Sequence, residues 1–180
     1  MLKKKMMAAF ALAALLALVP AMAGTNDATV GMTATVDQFA EWSAATYTIA
    51  AGDWAGSVSG TTINKVGESL TVTKALTLYA NKNVTLSAAG ATNSGIATNG
   101  AETLTTSYMI TGDVGTPDGA YKAAGAGDGE FFSAGNTYLV THISGDGSYT
   151  ITLGVKLESE SARAENAGDY TCSITMTATF

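Results

Sequence analysis

Residues 169–180 read Asp-Tyr-Thr-Cys-Ser-Ile-Thr-Met-Thr-Ala-Thr-Phe. Tyr170, Cys172, Ile174, Met176, Ala178 and Phe180 share one parity, and Thr171, Ser173, Thr175, Thr177 and Thr179 take the other. Successive side chains of a strand point to opposite faces, so this is a strand with one apolar face and one hydroxyl face. Gly168, just ahead of it, is a turn residue. A strand patterned in this way needs neighbours, from this chain or from another.

The pattern recurs upstream. Ala28, Val30, Met32, Ala34 and Val36 alternate with Thr29, Gly31, Thr33 and Thr35. Thr46–Ala50 reads as a short strand, followed by a glycine-rich loop from Gly52 to Gly60 in which Trp54 plugs one end of the core. Leu70, Val72, Leu76 and Leu78 keep one phase across Lys74. The cluster Asn81-Lys82-Asn83 then turns the chain into Val84, Leu86 and Ala88, a hairpin by pattern. Leu104, Tyr108 and Ile110 mark another strand, and Gly112–Gly129 a long loop. Phe131 or Phe132, Tyr138, Val140 and His142 sketch a further strand pair. Ser144-Gly-Asp-Gly-Ser148 is a tight hairpin turn into Tyr149, Ile151, Leu153, Val155 and Leu157.

Glycine-rich turns, one proline after residue 23 (Pro117) and abundant Thr, Val, Ser and Ala fit the same class. The expectation is an all-β, Ig-like β-sandwich of roughly 8–10 short antiparallel strands, in one domain over residues 24–180.

Residues 1–23 read as an export signal. Lys3, Lys4 and Lys5 precede an apolar run from Met6 to Val19, and Ala21-Met22-Ala23 is a small-x-small cleavage site. The run is short for a bilayer span. Cleavage before Gly24 implies a secreted or cell-surface protein, with a signal of bacterial type. Losing those three lysines moves the formal charge from −6 to −9. A strongly acidic chain is a poor partner for nucleic acid or anionic lipid. Asn83-Val84-Thr85 matches a glycosylation acceptor, a weak signal with such a leader.

Chemistry is thinly represented. His142 is the one histidine and falls within a strand pattern, so no catalytic residue, cofactor or metal ligand is assigned. Asp113, Asp118, Asp128, Glu130 and Asp146 lie in glycine-rich loops of the kind calcium uses, without a D-x-D-x-D-G run. Cys172 is the one cysteine, which excludes an intrachain disulfide and reads as a small buried hydrophobe. The expected role is therefore structural, not enzymatic.

The two alternating ends carry the functional expectation. An edge strand with unpaired N–H and C=O groups invites another chain to pair. Ala28, Val30, Met32, Ala34 and Val36 are the candidate donor strand, offered to the sheet of a second copy. The plainer alternative makes Ala28–Val36 the first strand of its own domain. Tyr170, Cys172, Ile174, Met176 and Phe180 are the candidate contact residues of the terminal strand.

Ala167-Gly168-Asp169-Tyr170 leading into an alternating strand that closes on Phe180 resembles the last strand of spore coat protein U-like and chaperone–usher pilin domains. The resemblance covers about 14 residues. It implies an Ig-like sandwich, assembly by strand donation into a pilus-like fibre or coat, a homo-oligomer, and a periplasmic chaperone as partner. The paired cysteines common in those domains are missing here. Asn166–Cys172 also resembles the strand-F corner of immunoglobulin domains, read as shared corner geometry.

Two other functions compete. A secreted carbohydrate-binding or adhesin module would take a glycan on exposed aromatics, with Trp42, Trp54, Tyr47 and Tyr121 as candidates. A small outer-membrane β-barrel also ends on an alternating strand with a terminal Phe, although these strands lack aromatic girdles.

Overall fold

The computed structural model describes residues 31–56, 62–63, 65–143, 145–159 and 167–180. The expected export signal and the first half of the candidate donor strand, including Ala28 and Val30, lie outside the described residues. The chain divides into two compact units, Met1–Thr35 and Val36–Phe180. In the first, Gly31–Thr35 carry no regular structure and are exposed.

The second unit is an all-β sandwich. Its strands are β1 (Ala40–Trp42), β2 (Ala55–Gly56), β3 (Ser69–Ala80), β4 (Val84–Thr92), β5 (Thr98–Asn99), β6 (Glu102–Thr103), β7 (Thr105–Gly112), β8 (Asp118–Ala123), β9 (Tyr138–Val140), β10 (Ser148–Glu158) and β11 (Ser173–Thr179). The larger sheet runs β1-β3-β10-β7-β8, with β2 also pairing β3. The smaller runs β11-β4-β9, and β5 and β6 form a two-stranded ribbon. All pairings are antiparallel.

Alternation sets the core. Leu70, Val72, Leu76, Leu78 and Ala80 of β3 share the buried face with Tyr149, Ile151, Leu153, Val155 and Leu157 of β10. Tyr108 and Ile110 of β7 continue it, and Val84, Leu86, Tyr138 and Val140 oppose it from the smaller sheet. The strands form two open sheets across a filled interior, not the closed ring of the barrel alternative.

Four expectations change. Ala28–Val36 is not a strand where it is described: Met32 is 91% exposed, Val36 is 79% exposed, and no ladder includes them. Alternation supplies two faces, but a strand also needs a hydrogen-bonded neighbour. Thr46–Ala50 is irregular, with Tyr47 pinned by its hydroxyl to the Thr77 backbone beside β3.

The turns at Asn81–Asn83 and Gly145–Gly147 are not hairpins. Each carries the chain from one sheet to the other, since β3 and β10 lie in the larger sheet and β4 and β9 in the smaller. A strand that crosses over keeps the same alternation as one that folds back, so the pattern does not separate the two. The crossings brace one another: the Ala80 N–H donates to the Gly147 carbonyl at 2.9 Å and the His142 N–H to Asn83 Oδ1 at 2.8 Å. Gly147 has φ +67°, and a Cβ there would sit 2.6 Å from the Ala80 oxygen. That position requires glycine.

The long loop after Gly112 contains β8, an edge strand that folds back on β7. Tyr121 is its one large apolar side chain, too little to register as alternation.

Candidate strand-accepting groove

β11 pairs with β4 from Thr179↔Thr85 to Ser173↔Thr92, with a register shift between Ser173 and Ile174. Among the described residues its other edge pairs with nothing. Ile174, Met176 and Ala178 pack against the core but stay half-buried, while Ser173, Thr175, Thr177 and Thr179 are exposed. The apolar face is therefore placed as expected and incompletely covered.

Ahead of β11, Thr171 makes a two-way backbone bridge with Thr98, at 3.0 and 3.2 Å. Asn93 Nδ2 also donates to the Thr171 carbonyl at 3.1 Å. Asn93 and Ser94 both hold φ +53°, so this tight turn presents its polar groups to the approaching chain. Cys172 is thereby fixed over Tyr108. The Tyr108 hydroxyl donates to the Gly95 carbonyl at 2.6 Å and lies 3.4 Å from Cys172 Sγ. Burial, reinforced by Cys172, pushes the Tyr108 phenol well above its ordinary pKa.

Beside these residues opens a groove of about 900 Å³ between the two sheets. Leu153, Val155 and Leu157 of β10 and Leu70 of β3 form one wall, and Tyr170, Cys172 and Ile174 form the other. Ile49, Trp54 and Ile63 also line it, partly buried against the core. The groove is mostly apolar, and it meets the start of the strand whose outer edge is free.

Three of the five terminal-strand candidates (Tyr170, Cys172 and Ile174) meet in this groove. Met176 lies further along β11. Phe180 falls past the end of the strand, 60% exposed, with Lys82 Nζ 6.0 Å from its ring centre. Of the donor-strand candidates, Met32, Ala34 and Val36 are exposed, and Ala28 and Val30 lie outside the described residues. Trp54, expected as a plug at one end of the core, and Leu104, expected in a strand, also line the groove, together with Ile63 and Ala97, which were not singled out in sequence. Ile63 and Ala97 sit in connections where no periodicity marks a face.

His142, Asp113, Glu130 and Asp146 have structural partners. His142 Nδ1 lies 2.8 Å from the Tyr149 hydroxyl, and the two rings stand edge to face. Asp113 accepts from the Thr150 N–H, Glu130 from the Gly127 N–H and Asp146 from the Ser148 N–H. Glu130 and Asp146 close local turns, while Asp113 ties the end of β7 to β10. Among the described residues no three His, Cys, Asp or Glu side chains gather to hold a metal. Of the aromatic glycan candidates, Trp42, Tyr47 and Trp54 pack against the core, whereas Tyr121 does not.

Comparison with protein-family models, with curated proteins and with solved structures finds no match to this chain.

Proposed function

We propose that this protein is an exported structural subunit that self-associates, as a fibre or coat component, by receiving a strand at the free edge of β11. The observation that carries the reading is the pairing of that free edge with a half-covered apolar face and an adjoining apolar groove. An edge of this kind is a template for another chain unless it is blunted by charge, proline or a covering loop. β11 has no charged residue and no proline.

The donor on this reading is the alternating segment ending at Val36 of a second copy. Its described half has no ladder partner and exposes Met32 and Val36. Covering Val30, Met32 and Val36 in a partner would contribute on the order of 5–9 kcal/mol before ordering costs, from ~1.5–3 kcal/mol per larger apolar side chain.

Deleting Thr25–Val36 tests it. The truncated protein is expected to be monomeric and to bind a synthetic peptide of residues 25–36, with a rise in melting temperature. A truncated protein that still polymerises, or that gains nothing from the peptide, overturns the reading. Detergent-resistant ladders from the native source would be direct support.

A further inference from the structure

We propose that the outer face of the larger sheet carries a saccharide-binding trough, with Tyr121 as its aromatic wall and Asp53 as its main hydrogen-bonding partner. The site lies on the side of the sheet opposite the core and does not depend on how the subunits associate.

The register fixes what that face presents. Thr77 stands beside Thr150, Thr152 beside Thr111, and Thr71 beside Lys156. Between these rows lies Gly154, paired with Thr73 and Met109. Gly154 has no side chain, and the Met109 side chain lies over it, since a Cβ at Gly154 would fall 2.6 Å from Met109. Beside this filled position the sheet surface is open at Thr71 and Thr73, and there a depression forms.

Tyr121 of β8 borders the depression, half-buried, with Lys156 close enough to oppose the rise in its pKa that burial causes. The opposite border is the turn Ala51–Asp53 together with β2, which stands beside β3. Two bonds hold that border: the Thr71 hydroxyl donates to the Ala55 carbonyl at 3.4 Å, and Asp53 Oδ2 accepts from the Ala50 N–H at 2.9 Å. Asp53, Ala55, Thr71, Val72, Thr73, Lys74 and Tyr121 border an open depression of about 440 Å³, inside the ~300–1,000 Å³ typical of small-ligand sites.

The chemistry of the lining selects the ligand class. A sugar ring has an apolar C–H face and a rim of hydroxyls. The first matches an aromatic side chain fixed at a sheet surface. The second matches a carboxylate that accepts from neighbouring hydroxyls and threonines that both donate and accept. The carboxylate of Asp53 stands at the border of this space, so the trough favours a neutral ring over an anionic one. It is too polar for a purely apolar ligand.

The test is an NMR titration of the ¹⁵N-labelled protein with neutral trisaccharides of glucose, mannose, galactose and N-acetylglucosamine at millimolar concentration. At least one is expected to shift the amides of Thr71–Lys74 and Tyr121. Tyr121→Ala should weaken that binding about tenfold, while Tyr121→Phe, which keeps the ring, should stay close to the parent. Asp53→Asn lies outside the long strands and is expected to weaken binding by about tenfold, through loss of a charged acceptor. The proposal is overturned if no trisaccharide shifts these amides. It is equally overturned if Asp53→Asn binds as tightly as the parent, an outcome that can be read even where Tyr121→Ala does not fold.

Discussion

β10 and β11 carry nearly the same pattern and have different surroundings. Along β10, Tyr149, Ile151, Leu153, Val155 and Leu157 alternate with polar or small residues, and all five are buried. Along β11, Ile174, Met176 and Ala178 alternate with Ser and Thr, and none is fully buried. β10 pairs with β3 on one edge and β7 on the other, whereas β11 pairs with β4 alone among the described strands. Alternation in sequence decides which way side chains point. Burial depends on how many neighbours stand beside the strand, and the pattern does not encode that number.

Core truncation should separate the two strands most sharply. Ile151→Ala empties a fully buried site and is expected to cost ~2–5 kcal/mol, while Ile174→Ala at the half-covered face should cost about 1 kcal/mol, both read from urea denaturation. Equal costs would mean that β11 is as well enclosed as β10.

Next comes Tyr108, which joins β7 to the lead-in of β11 through Gly95 and Cys172. Its pKa is raised in the folded state, so the folded protein holds that proton more tightly than the unfolded chain does. The stabilisation is complete below the unfolded value of about 10 and is lost as pH rises above it, by up to ~1.4 kcal/mol per pH unit. Stability measured from pH 9 to 11 should therefore fall less steeply in Tyr108→Phe than in the parent. Identical slopes would place Tyr108 in contact with solvent.

A charge on the incomplete strand should act on assembly more than on folding. Met176→Lys is expected to cost about 1 kcal/mol, because the long stem can carry its amine out through the open flank. It should nonetheless abolish self-association in analytical ultracentrifugation. Retained oligomers would exclude β11 as the contact. The smallest effect is reserved for the hydroxyl face: Thr177→Val, exposed on the outer side, should change stability by less than ~0.5 kcal/mol.

Much of the fold was legible because it rests on faces. β3, β7, β10 and β11 all lie where alternation placed them, and Lys74 does not interrupt β3. What depends on pairing was not legible. The crossings at Asn81–Asn83 and Gly145–Gly147 look like hairpins because reversal and crossover share the same turn residues. β8 escaped notice because an edge strand on an outer face has little to bury. At the groove, Tyr170, Cys172 and Ile174 could be read from parity, but Trp54 and Ile63 could not, since their connections are irregular. Tyr121 was one of four aromatics with equal standing until the sheet showed which of them face away from the core.

The two crossings also set the order in which this chain can fold. They keep β3 and β4 from pairing with each other, so β3 waits for β10 and β4 for β9 and β11. Ser173 meets Thr92 across 81 residues of sequence, and Thr179 meets Thr85 across 94. Contacts this remote require large loops to close before they return any stabilisation, which slows all-β chains to milliseconds or seconds. The β7–β8 hairpin can form early and locally. The smaller sheet gains its edge strand only once residues 173–179 are available to pair with β4.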